Sequence, residues 1–553
     1  MIVIAWAWIQ GWVTRDSIAA PAVSDPVQER LYSWLGAREL PPYLTAATER
    51  LRAPGPLLLF YERRAYQPAW THDARLLPPV DALVTAIQDV HHDGLRPADY
   101  HLASIRTLLA TIRREQNQHV FPDPAQLADL DLLLTDAFLL YGSHLLDGRI
   151  NPETDHTEWR AQRRKTDLAS ILETALAANQ VGAALRSVLP SHPAYTKLRQ
   201  ALARYRGIAA AGGWPLVPDG PKIQPGDRDD RVSKLRARLR AESGLPQESP
   251  HEPALYDEGL ARAVRTFQRR HGLSADGVLG PATLAALNVP AATRVRQIEL
   301  NLERWRWLPR EQERRSVVVN LADFSLEAWE HGQPVLTMRV AVGEPLSSTP
   351  VFSAAMTYVV LNPAWRVPRS IAVKEMLPRI RRNPRYLNTR NIAVLQRVGT
   401  EAKEIDPRTI DWSHLSADNF PYRLRQEPGL MNPLGRIKFM FPNPFQVYLH
   451  DTPSRSLFIR RVRTFSHGCI RVEEPIGLAT YLLQGSQRWT EDTLVSALDH
   501  EMKRTVWLPE PIPVHMVYWT AWVDQEGALQ FRPDIYGYDT LLDTALRQAP
   551  PLL

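Results

Sequence analysis

From residue 27 to about 215, apolar side chains recur every three or four positions. In DALVTAIQDVHHDGL, Leu83, Ile87 and Val90 fall on one face ahead of a glycine stop, which predicts an amphipathic helix. DLLLTDAFLLYGSHLLDGRINP is apolar nearly all round and predicts a helix buried on every side. The Pro/Gly/Asp stretch VPDGPKIQPGDRDD then breaks the pattern as a linker does. Beyond it, Val232, Leu235 and Leu239 form one helical face and Leu260, Val264 and Phe267 another. SADGVLGPATLAALN reads as a Gly-rich turn entering a short helix with Pro281 in its first turn.

From Ser316 the period shortens to two. SVVVN, FSLEAWE, VLTMRVAVG and TYVVLNP read as strands, with His331-Gly332 as the hairpin turn between the second and third. Residues 366 to about 430, rich in Arg and Pro, interrupt them with a helical, basic insertion placed to cover a cleft. Strands resume at KFMF and QVYLHD. PIGLATYLLQ is expected as a helix starting near Pro475 with Ile476, Ala479 and Leu483 inward, and PVHMVYWTAWVDQEGALQFRPDIYG as a final hairpin turning at Asp524 to Gly527. The expected fold class is multidomain α+β.

Composition narrows the function classes. A chain of 553 residues, 44% hydrophobic and 23% charged, should form several globular domains rather than one core or a disordered polymer. A net charge of +6 suits an anionic polymer or a membrane surface. Arginine is scattered and no zinc-finger, P-loop or recognition-helix signature accompanies it, so no nucleic-acid partner is expected. His91, His92 and His144 lack partners at metal-ligand spacing and are read as surface or satisfied core histidines; no metal and no cofactor are expected. The opening MIVIAWAWIQGWV has the length of a signal-peptide core, is followed by Ala20-Pro21-Ala22, and lacks a basic lead. Residues 1–22 are read as a signal or anchor segment of an exported protein, with a buried apolar strand as the alternative.

The single cysteine, Cys469, excludes an internal disulfide and a thiolate cluster, leaving an inert or a reactive thiol. Strand alternation puts Gln446, Tyr448 and His450 on one face of FQVYLHD and Phe445, Val447 and Leu449 on the other. It likewise puts His467, Cys469 and Arg471 on one side, with Ile470 and Val472 opposite. If the two segments neighbour each other, an imidazole can take the thiol proton, and Gly468 permits a close backbone approach with amides near an oxyanion. The pattern alone leaves nucleophile and buried thiol equally open.

HD, fifteen further residues, then HGCIRV resembles the signature of L,D-transpeptidases with the YkuD fold. NLERWRWLP, TPVFSAAMTYVVLNPAWRVPRSIAVKE, NPLGRIKFMFPNPFQVYLHDTP and YWTAWVDQEG are similar to its large YcbB-like subfamily, and the FQrrhGL and aDGvlGpaT pattern resembles the type 1 peptidoglycan-binding module. The resemblance implies a helical scaffold domain (27–215), a three-helix peptidoglycan-binding module (225–290) and a mostly-β catalytic domain (315–500) with a capping insertion (366–430). A C-terminal hairpin and tail (501–553) would pack on the scaffold or catalytic domain. It further implies Cys469 as nucleophile, His450 as base, and Gly468 and Cys469 amides at the oxyanion. Arg471 would orient the site or hold a substrate carboxylate, with Tyr448 and Ser466 as supporting wall and His467 in a structural role. His467 is a rival base on facing grounds. Asp451 is read as a turn-starting residue, since a backbone carbonyl serves as third member in such enzymes.

The implied activity is formation of 3-3 cross-links in periplasmic peptidoglycan from a donor tetrapeptide stem and an acceptor stem amine, with acylation by carbapenems. A non-catalytic wall-binding protein and an L,D-carboxypeptidase are the alternatives, and a papain-type protease fails on the order of its cysteine and histidine.

Overall fold

Leu83, Ile87 and Val90 are fully buried, the first two on the helix Pro79–Gln88 and Val90 on the single 3-10 turn after it, which stops at Gly94. The structure, a computed structural model, describes residues 25–37, 41–150, 159–160, 166–243, 252–309, 313–383, 385–398, 400–500 and 502–553. The apolar segment 1–22 lies outside them. No helix among the described residues is long and apolar enough to cross a membrane.

The chain divides into two units, one running to Ile150 and resuming over Arg163–Leu189 and Leu546–Leu553, the other holding Asn151–Gln162 and Pro190–Ala545. In the first unit, helices pack around Pro124–Asp147, which is buried on almost every side as its composition predicts. Its carboxylates hold two short hairpins, β1 (Thr45–Ala46) with β2 (Glu49–Arg50) and β3 (Thr71–His72) with β4 (Arg75–Leu76). Asp131 accepts from Tyr61 Oη at 2.6 Å and from the Ala69 and Trp70 amides, while Asp136 accepts from the Arg52 and Ala53 amides and His101 Nε2. Removing either carboxylate would orphan buried donors, each costing about 1–3 kcal/mol.

In the second unit, the helices Arg231–Ser243, Glu258–Arg270 and Pro281–Leu287 share one small core of Val232, Leu235, Leu260, Val264 and Phe267. The buried Gln268 explains the Phe-Gln and Asp-Gly-Val pairing in the sequence. Its amide donates to Asp276, Val278 O and Thr283 Oγ1 and accepts from Gly277 N, so one side chain closes the whole turn. The helix Pro193–Ala210, which has the same period as the helices before it, packs here against Ala291–Arg306.

The strands of the second unit begin with β5 (Trp159–Arg160) and continue with β6 (Arg315–Asn320), β7 (Ser325–Glu330), β8 (Gln333–Gly343), β9 (Val351–Leu361), β10 (Trp365–Arg366), β11 (Ile392–Val398), β12 (Glu401–Ile405) and β13 (Tyr422–Gln426). After these come β14 (Ile437–Met440), β15 (Leu449–His450), β16 (Thr464–Ser466), β17 (Ile470–Val472), β18 (Arg504–Val517), β19 (Ala521–Val523) and β20 (Leu529–Phe531). His331 and Gly332 both have positive φ and make the expected two-residue turn between β7 and β8. The main sheet runs β14-β15-β17-β8-β7-β6-β18-β9, and β14 also pairs with β9, closing the ring; β16 joins beside β8 and β5 beside β9. A closed ring has no exposed edge along that path.

Two expectations need correction. The insertion 366–430 is helical only in part: a helical run from Arg369 to Arg382 lies between β10 and the other strands of a four-stranded sheet, β10-β13-β11-β12, and shares with it a core of Met376, Ile380, Val394, Trp412 and Leu424. Residues 501–553 are not only a hairpin and tail. β18 lies inside the ring, parallel to β6 and antiparallel to β9, while the expected hairpin forms from β19 and β20 with Gly527 N bonded to Asp524 O.

Candidate active site

The site is built on the three adjoining strands β14, β15 and β17. Register places Leu449 between Phe439 and Ile470, all three fully buried, and His450 between Lys438 and Arg471. Side chains alternate across a strand, so the apolar trio faces one way and Lys438, His450 and Arg471 face the other. Tyr448 shares the face of His450, the two rings lying 5.7 Å apart, and the Lys438 ammonium sits 3.6 Å from the Tyr448 ring centre. A cation over an aromatic face is attracted by the ring quadrupole.

Strand alternation breaks down ahead of Cys469. Only Ile470–Val472 is strand, β16 leaves to pair with β8, and His467, Gly468 and Cys469 form the turn between them. Gly468 has φ +107°, which a side chain would strain. Ser466 Oγ donates to Cys469 O and accepts from Gly468 N at 3.2 Å, and Thr349 Oγ1 donates to Gly468 O at 2.9 Å. The Gly468 amide is therefore already engaged in this state, while the Cys469 amide has no acceptor among the described residues. His467 does not share the cysteine face: it is 54% exposed, with Nε2 2.9 Å from Glu375 on the insertion.

Electrostatics distinguish the two central groups. Cys469 is half-buried. Burial pushes its thiol up, opposed by hydrogen bonds from the Tyr448 backbone and phenol and by the Lys438 and Arg471 charges. Reciprocally, burial and the neighbouring sulfur push the Tyr448 phenol up, so it stays protonated as a donor. Burial, aided by Arg471 and Lys438, lowers His450 to about 3. Its Nδ1 lies 2.5 Å from Asp451 O. A carbonyl only accepts, so Nδ1 carries the hydrogen and Nε2 holds the lone pair. No hydrogen bond joins this ring to the sulfur among the described residues; the two are diagonal neighbours in register.

The Asp451 carboxylate is occupied elsewhere, accepting from Arg436 N at 2.8 Å, Thr452 N at 2.7 Å and Arg455 Nη1 at 3.3 Å. Its carbonyl, not its side chain, holds the imidazole. Neither Lys438 nor Arg471 has a carboxylate within ion-pair distance among the described residues. Burial lowers both, and Arg471 Nε is buried without a hydrogen-bond partner. Two cations beside a thiol, neither in an ion pair and Arg471 only partly offset by the Glu344 charge, favour thiolate and attract an anionic ligand.

Sequence reasoning brought together Tyr448, His450, Cys469 and Arg471 but missed Lys438 and Glu375. Lys438 carried a signal, a charged residue on the inward-outward alternation of Ile437, Phe439 and their neighbours. Glu375 carried none, because nothing in its surroundings announces that the insertion reaches the cysteine turn.

A closed β ring bearing a thiol, a neutral imidazole and two cations on one outer face has the components of a thiol-dependent acyl-transfer centre. Residues 314–493 match the family of the L,D-transpeptidase catalytic domain, residues 228–287 a "Putative peptidoglycan binding domain", and residues 56–202 a scaffold domain. The chain thus carries a YkuD-type L,D-transpeptidase catalytic domain joined to a helical scaffold and a peptidoglycan-binding module. A "Putative L,D-transpeptidase" of Haemophilus influenzae is 36% identical over 250 residues, 45% of this chain and 49% of the relative, so the match spans about half of that protein's length. "N-acetylmuramoyl-L-alanine amidase CwlM" of Mycobacterium tuberculosis is 36% identical over 80 residues, 13% of this chain and 20% of the relative. The solved L,D-transpeptidase of Xylanimonas cellulosilytica aligns at 17% identity over 54% of this chain and 98% of its own, with a TM-score of 0.18.

Proposed function

We propose that the protein is an exported peptidoglycan L,D-transpeptidase acting through Cys469. In this reading the sulfur attacks the carbonyl carbon of the third residue of a tetrapeptide stem as His450 Nε2 accepts the thiol proton. The tetrahedral oxyanion is held by the Cys469 amide, with Gly468 N joining if Ser466 Oγ releases it. Collapse breaks the peptide bond, the imidazolium returns the proton to the departing D-alanine nitrogen, and a thioester remains. An acceptor stem amine then attacks the thioester, giving a 3-3 cross-link and regenerating the thiol. Water in its place would give L,D-carboxypeptidase activity.

The observation that carries the reading is the conjunction at one sheet face of a half-buried thiol, an imidazole with its tautomer set by Asp451 O, and two unpaired cations suited to a stem carboxylate. The low pKa of His450 and the raised thiol argue for proton transfer during attack rather than a resting ion pair. Arg471 and Lys438 are assigned to the stem carboxylate, Tyr448 to the sulfur, Ser466 to the turn, and His467 to the ion pair with the capping insertion. Intact-mass measurement after incubation with a carbapenem tests the assignment. A covalent adduct absent from Cys469→Ala is expected; no adduct on the parent protein would favour a non-catalytic wall-binding protein. Mass spectrometry of muropeptides then separates cross-linking from hydrolysis.

A further inference from the structure

A cavity of about 340 Å³ opens on the outer face of β6 and β7, and none of the residues assigned to the thiol site lines it. Its floor follows from strand alternation. Leu326 and Ala328 are fully buried within the ring, so Ser325, Glu327 and Trp329 project outward, beside Val318 and Asn320 of β6. The β19–β20 hairpin supplies one wall with Trp522, Asp524, Gln525 and Arg532.

The chemistry of this lining is specific. Glu327 Oε2 accepts from Trp329 Nε1 at 2.8 Å, and burial holds the carboxyl above its ordinary range. Asp524 is oriented by Ala528 N and Gln530 Nε2, and Arg532 is already paired with Asp323 at 2.5 Å. Asp323 and Arg532 neutralise each other, and Glu327 and Asp524 against Lys197 disfavour an anionic ligand. Half-buried indoles beside oriented acceptors and an exposed amide suit a neutral ring with an apolar C–H face and hydroxyl donors on its rim. The volume is at the small end of the roughly 300–1,000 Å³ of ligand sites, enough for one or two sugar rings.

A second observation places the cavity beside the peptidoglycan-binding module. Arg270, at the end of the helix Glu258–Arg270, donates to Leu529 O at 2.9 Å, Arg532 Nη1 donates back to Arg270 O at 3.1 Å, and His271 stacks on Phe531. The hairpin that walls the cavity is thus fastened to the module.

We propose that this cavity is a saccharide site for one or two N-acetylated pyranose units of a wall glycan, an assignment of glycan source that rests on the peptidoglycan reading above. Calorimetric titration of the full chain with the β-1,4-linked tetramer of N-acetylglucosamine tests it. Saturable binding is expected, weakened about tenfold in Trp522→Ala and in the isosteric Glu327→Gln, with carbapenem adduct formation at Cys469 unchanged in both. Gln525→Ala, at an exposed loop position, should weaken binding without touching the fold and keeps the test valid if Trp522→Ala does not fold. Absence of binding by the parent protein, equal affinity in Glu327→Gln and Gln525→Ala, or saturable binding of a free stem peptide instead would overturn the site. Loss of the carbapenem adduct with sugar binding intact would remove the enzymatic reading and leave the site standing as a sugar site.

Discussion

Tyr448→Phe isolates one hydrogen bond to the sulfur. The substitution keeps the ring on which Lys438 rests and removes only the phenolic hydrogen that opposes the burial of Cys469. A hydrogen bond to a charged group contributes about 1.5–3 kcal/mol, and the half-buried sulfur argues for the lower end. At 1.36 kcal/mol per pH unit, that raises the thiol pKa by about one unit and cuts the thiolate fraction at a given pH about tenfold. Cys469 is the only cysteine in the chain, so alkylation by iodoacetamide followed by intact mass reads this site alone. The alkylation profile should move about one unit to higher pH in Tyr448→Phe. An unchanged profile would show that the phenol does not stabilise the thiolate and would refute the electrostatic account of the site.

Asp451→Asn should leave carbapenem acylation within about threefold of the parent while lowering the melting temperature, because the carbonyl holds His450 and the carboxylate holds neighbouring amides; a loss of a hundredfold or more would restore a triad acid. Burial depresses His192 to about 4 and His271 and His450 to about 3, so on unfolding each takes up a proton below pH 6.5. Their contribution to stability is present above pH 6.5 and falls as pH drops toward the folded values. Near pH 5.5 these three protons give a slope of about 4 kcal/mol per pH unit in urea-unfolding free energy, reduced by about a third in His192→Gln. A slope unaffected by that substitution would contradict it. Glu375→Ala removes an ion pair of two partly exposed groups and should change global stability by less than about 1 kcal/mol. If the insertion excludes water from the thioester, the same variant should raise hydrolysis relative to cross-linking in muropeptide analysis, and an unchanged ratio would deny the insertion that role.

Period and punctuation revealed most of the helices and strands, because each buried face is written locally. Gln268 shows why the module could be recognised: its partners Gly277, Val278 and Thr283 all lie within fifteen residues. The helical expectation for the insertion holds for its first part, where Ala372, Met376 and Ile380 recur every four residues, while the alternation of Ile392 with Val394 and of Tyr422 with Leu424 marks the strands that follow. At the site, alternation placed Tyr448 with His450, but it could not anticipate that Gly468 breaks the strand and turns His467 toward Glu375. Lys438 reaches Tyr448 only through the pairing of β14 with β15, a tertiary register that local pattern does not encode.

β18 lies between β6 and β9, pairing Val514–Val517 with Val317–Asn320 across almost two hundred residues of chain. During synthesis the ring therefore stays open, with both flanking edges bare, until residue 517 has left the ribosome. A protein cut at residue 500 would keep Cys469 and His450 yet present two unpaired strands, and should aggregate rather than react.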